Sequence, residues 1–111
     1  MHIPTNKYQS PVSFLIKNNI TQFDFSRTKM TDSAMRAAGG MQHLTWLSAR
    51  NTIVSDNGLK SLSSLKFLTY LNLSGTKVTD SGLKLISSLK SLKEIYLWNS
   101  KVTENGVAAL R

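Results

Sequence analysis

The chain has 111 residues, 41% of them hydrophobic, with 14 Lys and Arg against 6 Asp and Glu, a formal net charge of +8 and no cysteine. That length holds one domain, and the composition excludes a disulfide framework, a thiolate metal site and a cysteine nucleophile. No apolar run approaches the roughly 18 residues of a membrane helix, and residues 1–10 hold no apolar stretch of signal-peptide length; together these point to a cytoplasmic protein without a membrane span.

In chain order, residues 1–19 read as an N-terminal tail and then a degenerate capping helix. The tail is expected to be loosely held. Over residues 12–18, Val12, Leu15 and Ile16 can cover the first coil as one face of a helix, and Pro11 suits its first position. From residue 20 to residue 111 the chain repeats itself four times at a 24-residue period, with the last copy incomplete. Ile20, Leu44, Leu68 and Leu92 open the blocks. Phe23, Leu47, Leu71 and Ile95 come three places later, then Phe25, Ala49, Leu73 and Leu97. A hydroxyl row comes next at Thr28, Thr52, Thr76 and Ser100, and then Met30, Val54, Val78 and Val102.

Within a block, alternating apolar residues such as Leu71 and Leu73 read as a short strand. The opening residue breaks the alternation because it packs beneath the start of that strand. A turn leads to Thr31-Asp32, Ser55-Asp56, Thr79-Asp80 and Thr103-Glu104, residue types expected to cap starting helices by accepting free N–H groups. Helices are predicted near 33–42, 57–66, 81–90 and 105–111. Their apolar stripes, Leu59, Leu62 and Leu65 or Leu83, Ile86 and Leu89, are spaced by three and fit either an α-helix or a 3₁₀ turn. Gly58, Gly82 and Gly106 recur just inside these helices. Glycine there costs about 1 kcal/mol relative to alanine, so it serves close packing or an open first turn.

The pattern L-x-x-L-x-L-x-x-T-x-V resembles the leucine-rich repeat, with a hydroxyl where Asn or Cys usually stands. The segment T-x-V-T-D-x-G-L at residues 76–83, nearly repeated at 52–59, looks like the variant common in bacterial leucine-rich repeat proteins. It is also similar to the repeats of F-box substrate receptors, with Thr in place of Cys. The 24-residue period and the absence of an F-box-like segment depart from that second group. The resemblance implies an α/β leucine-rich repeat solenoid, with a short parallel β-sheet on the concave face and short helices on the convex face. It also implies that the hydroxyl row points inward, satisfies loop backbone and forms a ladder between coils. Parallel strands stack about 4.8 Å apart whereas helices are about 10 Å thick, so the array curves around its sheet.

Residues between the apolar strand positions then face outward in rows: Gln22, Trp46, Tyr70 and Glu94; Asp24, Ser48, Asn72 and Tyr96; Ser26, Arg50, Ser74 and Trp98. Arg27, Asn51, Gly75 and Asn99 form the rim. Trp46 and Tyr70 share one repeat position and should lie side by side. Trp, Tyr and Arg are the residue types enriched at binding hot spots, and the concave charges (Asp24, Arg27, Arg50, Lys93, Glu94) nearly balance. Trp46, Arg50, Tyr70, Asn72, Tyr96 and Trp98 are therefore the candidate binding residues, and a protein or peptide the expected partner.

The excess positive charge falls elsewhere. Lys29, Lys77 and Lys101 share one position, Arg36, Lys60 and Lys84 a second, and Lys66 and Lys90 a third. These rows read as a solvated outer face, or alternatively as a surface for nucleic acid or another anionic surface, though without interleaved aromatic residues. The two histidines, His2 and His43, stand apart from each other and from any acidic cluster, so no metal site is expected. No phosphate loop or nucleophile elbow occurs. The expectation is a non-catalytic interaction module that needs no cofactor. The fourth block closes at Leu110-Arg111 without a recognisable cap. The last coil is thus expected to fray or self-associate, with the chain either a piece of a longer array or covered there by another molecule.

Overall fold

A computed structural model describes residues 20–110; the capping helix expected over 12–18 lies outside the described residues. Four strands, β1 (Gln22–Asp24), β2 (Trp46–Ser48), β3 (Tyr70–Asn72) and β4 (Glu94–Tyr96), form one parallel sheet in chain order. Their register follows the 24-residue period, with Phe23 beside Leu47, Leu47 beside Leu71 and Leu71 beside Ile95. On the other side of each coil lie α1 (Asp32–Gly39), α2 (Asp56–Leu59) with a 3₁₀ turn at Lys60–Leu62, α3 (Asp80–Leu85) and α4 (Glu104–Leu110). The sheet and the helices are joined through one core, in which Leu44, Leu47, Val54, Leu68, Leu71, Leu73 and Val78 are fully buried. Among the described residues, no helix is long and apolar enough to cross a membrane.

The first three helices are shorter than the sequence pattern predicts. α2 and α3 stop before 66 and 90 because the chain passes into turns closed by three-residue bonds. Leu65 N–H donates to Leu62 O and Leu68 N–H to Leu65 O; Leu89 and Leu92 repeat the pattern on Ile86 and Leu89. Side chains three apart eclipse in such turns. Leucines spaced by three therefore all face inward, and Leu59, Leu62, Leu65 and Leu68 have no exposed surface. Of the two alternatives the spacing leaves open, the tight turn holds for most of this stretch.

The hydroxyl row points inward at its centre, where Thr52 and Thr76 are buried. Its bonds close within each coil and do not run between coils, contrary to expectation. Each hydroxyl donates to the carbonyl three residues before it, Phe25, Ala49, Leu73 and Leu97, at 2.7 Å in all four coils. Each also accepts the N–H two residues ahead, from Met30, Val54, Val78 or Val102. A hydroxyl can both donate and accept, so one side chain satisfies two groups of a tight loop. Hydroxyls at the start of the strands do bridge coils: Thr45 donates to Thr21 O at 3.1 Å and Thr69 to Thr45 O at 3.0 Å.

The Thr-Asp pairs also behave differently from simple caps. Thr31 caps its own helix, accepting Ser33 N–H at 3.3 Å, and Thr103 accepts Gly106 N–H at 3.4 Å in the last one; Ser55 and Thr79 make no such bond. The aspartates instead reach across to the next coil. Asp32 accepts the N–H and hydroxyl of Ser55 at 2.8 and 2.7 Å. Asp56 accepts the same two groups of Thr79 at 2.8 and 2.5 Å, and Asp80 those of Thr103 at 2.8 and 2.5 Å. The recurrent glycines make room for these carboxylates. A Cβ on Gly58, Gly82 or Gly106 would sit under 3.0 Å from the aspartate of the preceding coil. Coil is thus tied to coil by a two-pronged carboxylate at every junction. Among the described residues, no buried side-chain nitrogen or oxygen lacks a hydrogen-bond partner.

This clamp makes stability depend on acid. The Thr103 hydroxyl, then its N–H, holds the Asp80 carboxyl below its ordinary range. A lowered folded-state value means that the contribution is complete above the unfolded value of about 3.9. It is lost as pH falls through the folded value. Urea midpoints measured from pH 6 downward should therefore fall on acidification, and Asp80→Asn should flatten the part of that fall below about pH 4. An unchanged acid profile in Asp80→Asn would show that the clamp contributes nothing to it.

Candidate functional site

The concave face begins with a turn constraint. Arg27, Asn51 and Asn99 adopt φ of 60°, 56° and 55°, and Gly75 adopts 69°. One repeat position is left-handed in all four coils, which explains why Asn and Gly recur there, since both tolerate that region. The turn reverses the chain after the outward row of Arg50, Ser74 and Trp98. Around it the sheet bonding continues past the strands: Arg27, Asn51 and Gly75 N–H donate to the carbonyls of Arg50, Ser74 and Trp98 at 2.8, 2.8 and 2.7 Å. The outward residues are thereby fixed on a bonded backbone.

On this scaffold the aromatic residues form a diagonal track. Trp46 and Tyr70 stack with ring centroids 4.8 Å apart and planes within 8°, as their shared repeat position predicts. Tyr70 meets Tyr96 at 5.3 Å with a 43° tilt. Trp98, two residues beyond Tyr96 on the same coil, is 76% exposed. The track crosses three coils, from the first outward row on the second coil to the third outward row on the fourth.

Polar residues border it. Asn72 donates to the Tyr70 hydroxyl at 3.4 Å and accepts Ser74 N–H at 3.0 Å. Tyr96 donates its hydroxyl to Glu94 at 3.0 Å, and that carboxylate raises the phenol further above its usual value, so Tyr96 stays neutral. Asp24 accepts Ser26 N–H at 2.9 Å and is held below the usual carboxylate range by hydrogen bonds from Ser26. A shallow pocket of about 380 Å³ opens beside Trp98, bounded by Arg50, Asn51, Asn72, Tyr96, Trp98 and Asn99.

The six candidate binding residues thus lie on one face. Arg50, Asn72, Tyr96 and Trp98 share the pocket, and Trp46 and Tyr70 join it through ring contacts. Two outward positions differ from expectation: Ser48 and Ser74 are buried. Ser48 pairs with the Ser26 hydroxyl at 2.6 Å, and Ser74 accepts Trp98 N–H at 3.1 Å. Small hydroxyls sink between larger neighbours and support the backbone. The Lys rows are exposed at Lys29, Lys77 and Lys101 and at Lys60, Lys66, Lys84 and Lys90, off the aromatic face. A separate stacked pair, His43 and Phe67, with centroids 6.4 Å apart, sits just before β2 and β3. The sequence signal for this pair is its shared position in successive repeats, outside the three outward rows.

Comparison with known proteins bears on the repeat. A family model described as a leucine-rich repeat matches residues 64–87, a span of one period that contains β3. No curated protein matches the sequence. Among solved structures, the chain is similar to an internalin from Listeria monocytogenes strain 4b F2365, with a TM-score of 0.55 and 21% identity over 90% of this chain. The match takes in 34% of the internalin chain, so this protein spans about a third of that length. At such identity the likeness is one of fold. With its 24-residue coils, parallel sheet and matched repeat, the chain has the fold of a leucine-rich repeat solenoid.

Proposed function

We propose that the chain is a binding module that engages a protein or peptide on the concave face of its sheet, with no chemistry of its own. The observation that carries this reading is the track of Trp46, Tyr70, Tyr96 and Trp98, which converges on one face from three coils. An exposed Trp beside a half-covered aromatic stack offers large contact area on a backbone already ordered, which reduces the ordering cost of binding. Arg50 and Asn72 stand where they can orient a ligand through hydrogen bonds. The near-balanced charge of the face suits a protein surface better than a polyphosphate.

Replacement of the tryptophans tests the reading. Once a partner is captured, Trp98→Ala or Trp46→Ala should weaken it by at least about 2 kcal/mol in titration calorimetry. Trp98→Ala should leave the urea midpoint nearly unchanged, because that ring is exposed. A partner that tolerates loss of both rings would remove the concave face from consideration. Binding to heparin or DNA that falls steeply with salt would then favour the exposed Lys rows.

A further inference from the structure

The polar side chains of the concave face are engaged unevenly, and the group left open points to a ligand class. Several acceptors already hold a partner within the chain. Asp24 takes Ser26 N–H, Glu94 takes the Tyr96 hydroxyl, the Asn72 side-chain oxygen takes Ser74 N–H, and the Ser74 hydroxyl takes Trp98 N–H. Beside the amides of Asn51 and Asn99, the pocket presents two groups that can only donate. Arg50 is exposed at its wall with a guanidinium that presents five N–H groups and no acceptor. The exposed Trp98 beside it adds an indole N–H, a donor only. Resting on the concave-face reading above, we infer that this pocket takes an acidic peptide segment: a carboxylate seats at Arg50, and an adjacent ring or proline lies on Trp98 and Tyr96.

The geometry limits the alternatives. A planar guanidinium matches a carboxylate through two parallel bonds. An exposed ion pair alone contributes little, so the apolar neighbour that covers Trp98 is needed to exclude water from it. Arg50 is the cation of a pocket whose other polar groups are amides, a serine, the Tyr96 phenol and the Trp98 indole. Asp24 and Glu94 stand on the same face, so a chain of phosphates would meet two carboxylates there. One carboxylate flanked by apolar residues meets neither. The small volume, about 380 Å³, suits a single acidic side chain with part of its neighbour.

A random-peptide display library selected on the full chain, with synthesis of the enriched peptides, tests this. Expected are peptides with Asp or Glu next to Phe, Tyr, Trp or Pro. Arg50→Gln should weaken such a peptide by about tenfold, and its Glu→Gln version should bind wild type and Arg50→Gln alike. Both Arg50 and Trp98 are exposed, so the variants should fold as wild type does in far-ultraviolet dichroism. Peptides that depend on Trp98 but lack an acidic residue, or ignore Arg50→Gln, would overturn the carboxylate assignment and leave the concave-face reading standing. Binders indifferent to both Trp98→Ala and Arg50→Gln, or a selection without binders, would overturn both.

Discussion

Leu73→Ala is expected to lower the stability of the stack by about 2–5 kcal/mol, through lost burial and a residual cavity. Leu73 has no exposed surface and belongs to the third coil, with neighbours on both sides. Its carbonyl accepts the Thr76 hydroxyl and its N–H donates to Tyr96 O at 2.8 Å. The side chain therefore fills the core at a point where the backbone is held by both the loop and the next strand, and the site has little freedom to collapse. Each repeat contacts only its neighbours, so a cavity in the third coil loosens both of its junctions. Against a total of roughly 5–15 kcal/mol, such a loss would unfold a large share of the molecules well before the wild-type urea midpoint. A change below about 1 kcal/mol would contradict the register in which Leu73 lies at the centre.

That register is legible in the sequence because burial imposes it. An apolar residue at three fixed offsets in four blocks admits one way of stacking, and Leu71 and Leu73 fall in the core as alternation requires. The outward rows obey the same logic, which is why the stacking of Trp46 on Tyr70 can be expected from a shared position. Where expectation and structure part, the cause lies in polar side chains with more than one possible partner. Asp after Thr at a helix start is equally compatible with a cap on its own helix and with a bond to the next coil. Only the stacking distance decides between them. The hydroxyl row departs in the opposite sense: Thr52 and Thr76 are expected to bridge coils, yet their acceptors lie three residues back in their own loop. The left-handed turn is readable from Asn51, Gly75 and Asn99, although Arg27 at the same position disguises it. Which ring or amide of the concave face meets a ligand is not readable, because periodicity assigns a residue to a face and says nothing of the pocket beside it.

The junction between the second and third coils should be where the two aspartate-related changes prove coupled. Gly82→Ala in an ordinary helix would stabilise by about 1 kcal/mol. Here the sign should reverse. The new Cβ would stand under 3.0 Å from the Asp56 carboxylate and 3.0 Å from a Leu59 methyl, so the expected result is a loss of about 1–3 kcal/mol from overpacking. Asp56→Ala should cost about 1.5–3 kcal/mol, since it removes a carboxylate that accepts both the N–H and the hydroxyl of Thr79. Combined, the two changes should cost clearly less than their sum. Without the carboxylate, the alanine methyl occupies space that Asp56 has vacated and meets only the flexible end of Leu59. A double-mutant cycle in urea measures this directly, because residues in contact depart from additivity by about 0.5–3 kcal/mol. Strict additivity, or a Gly82→Ala variant more stable than wild type, would mean that the glycine row serves the helix start and not the clamp between coils.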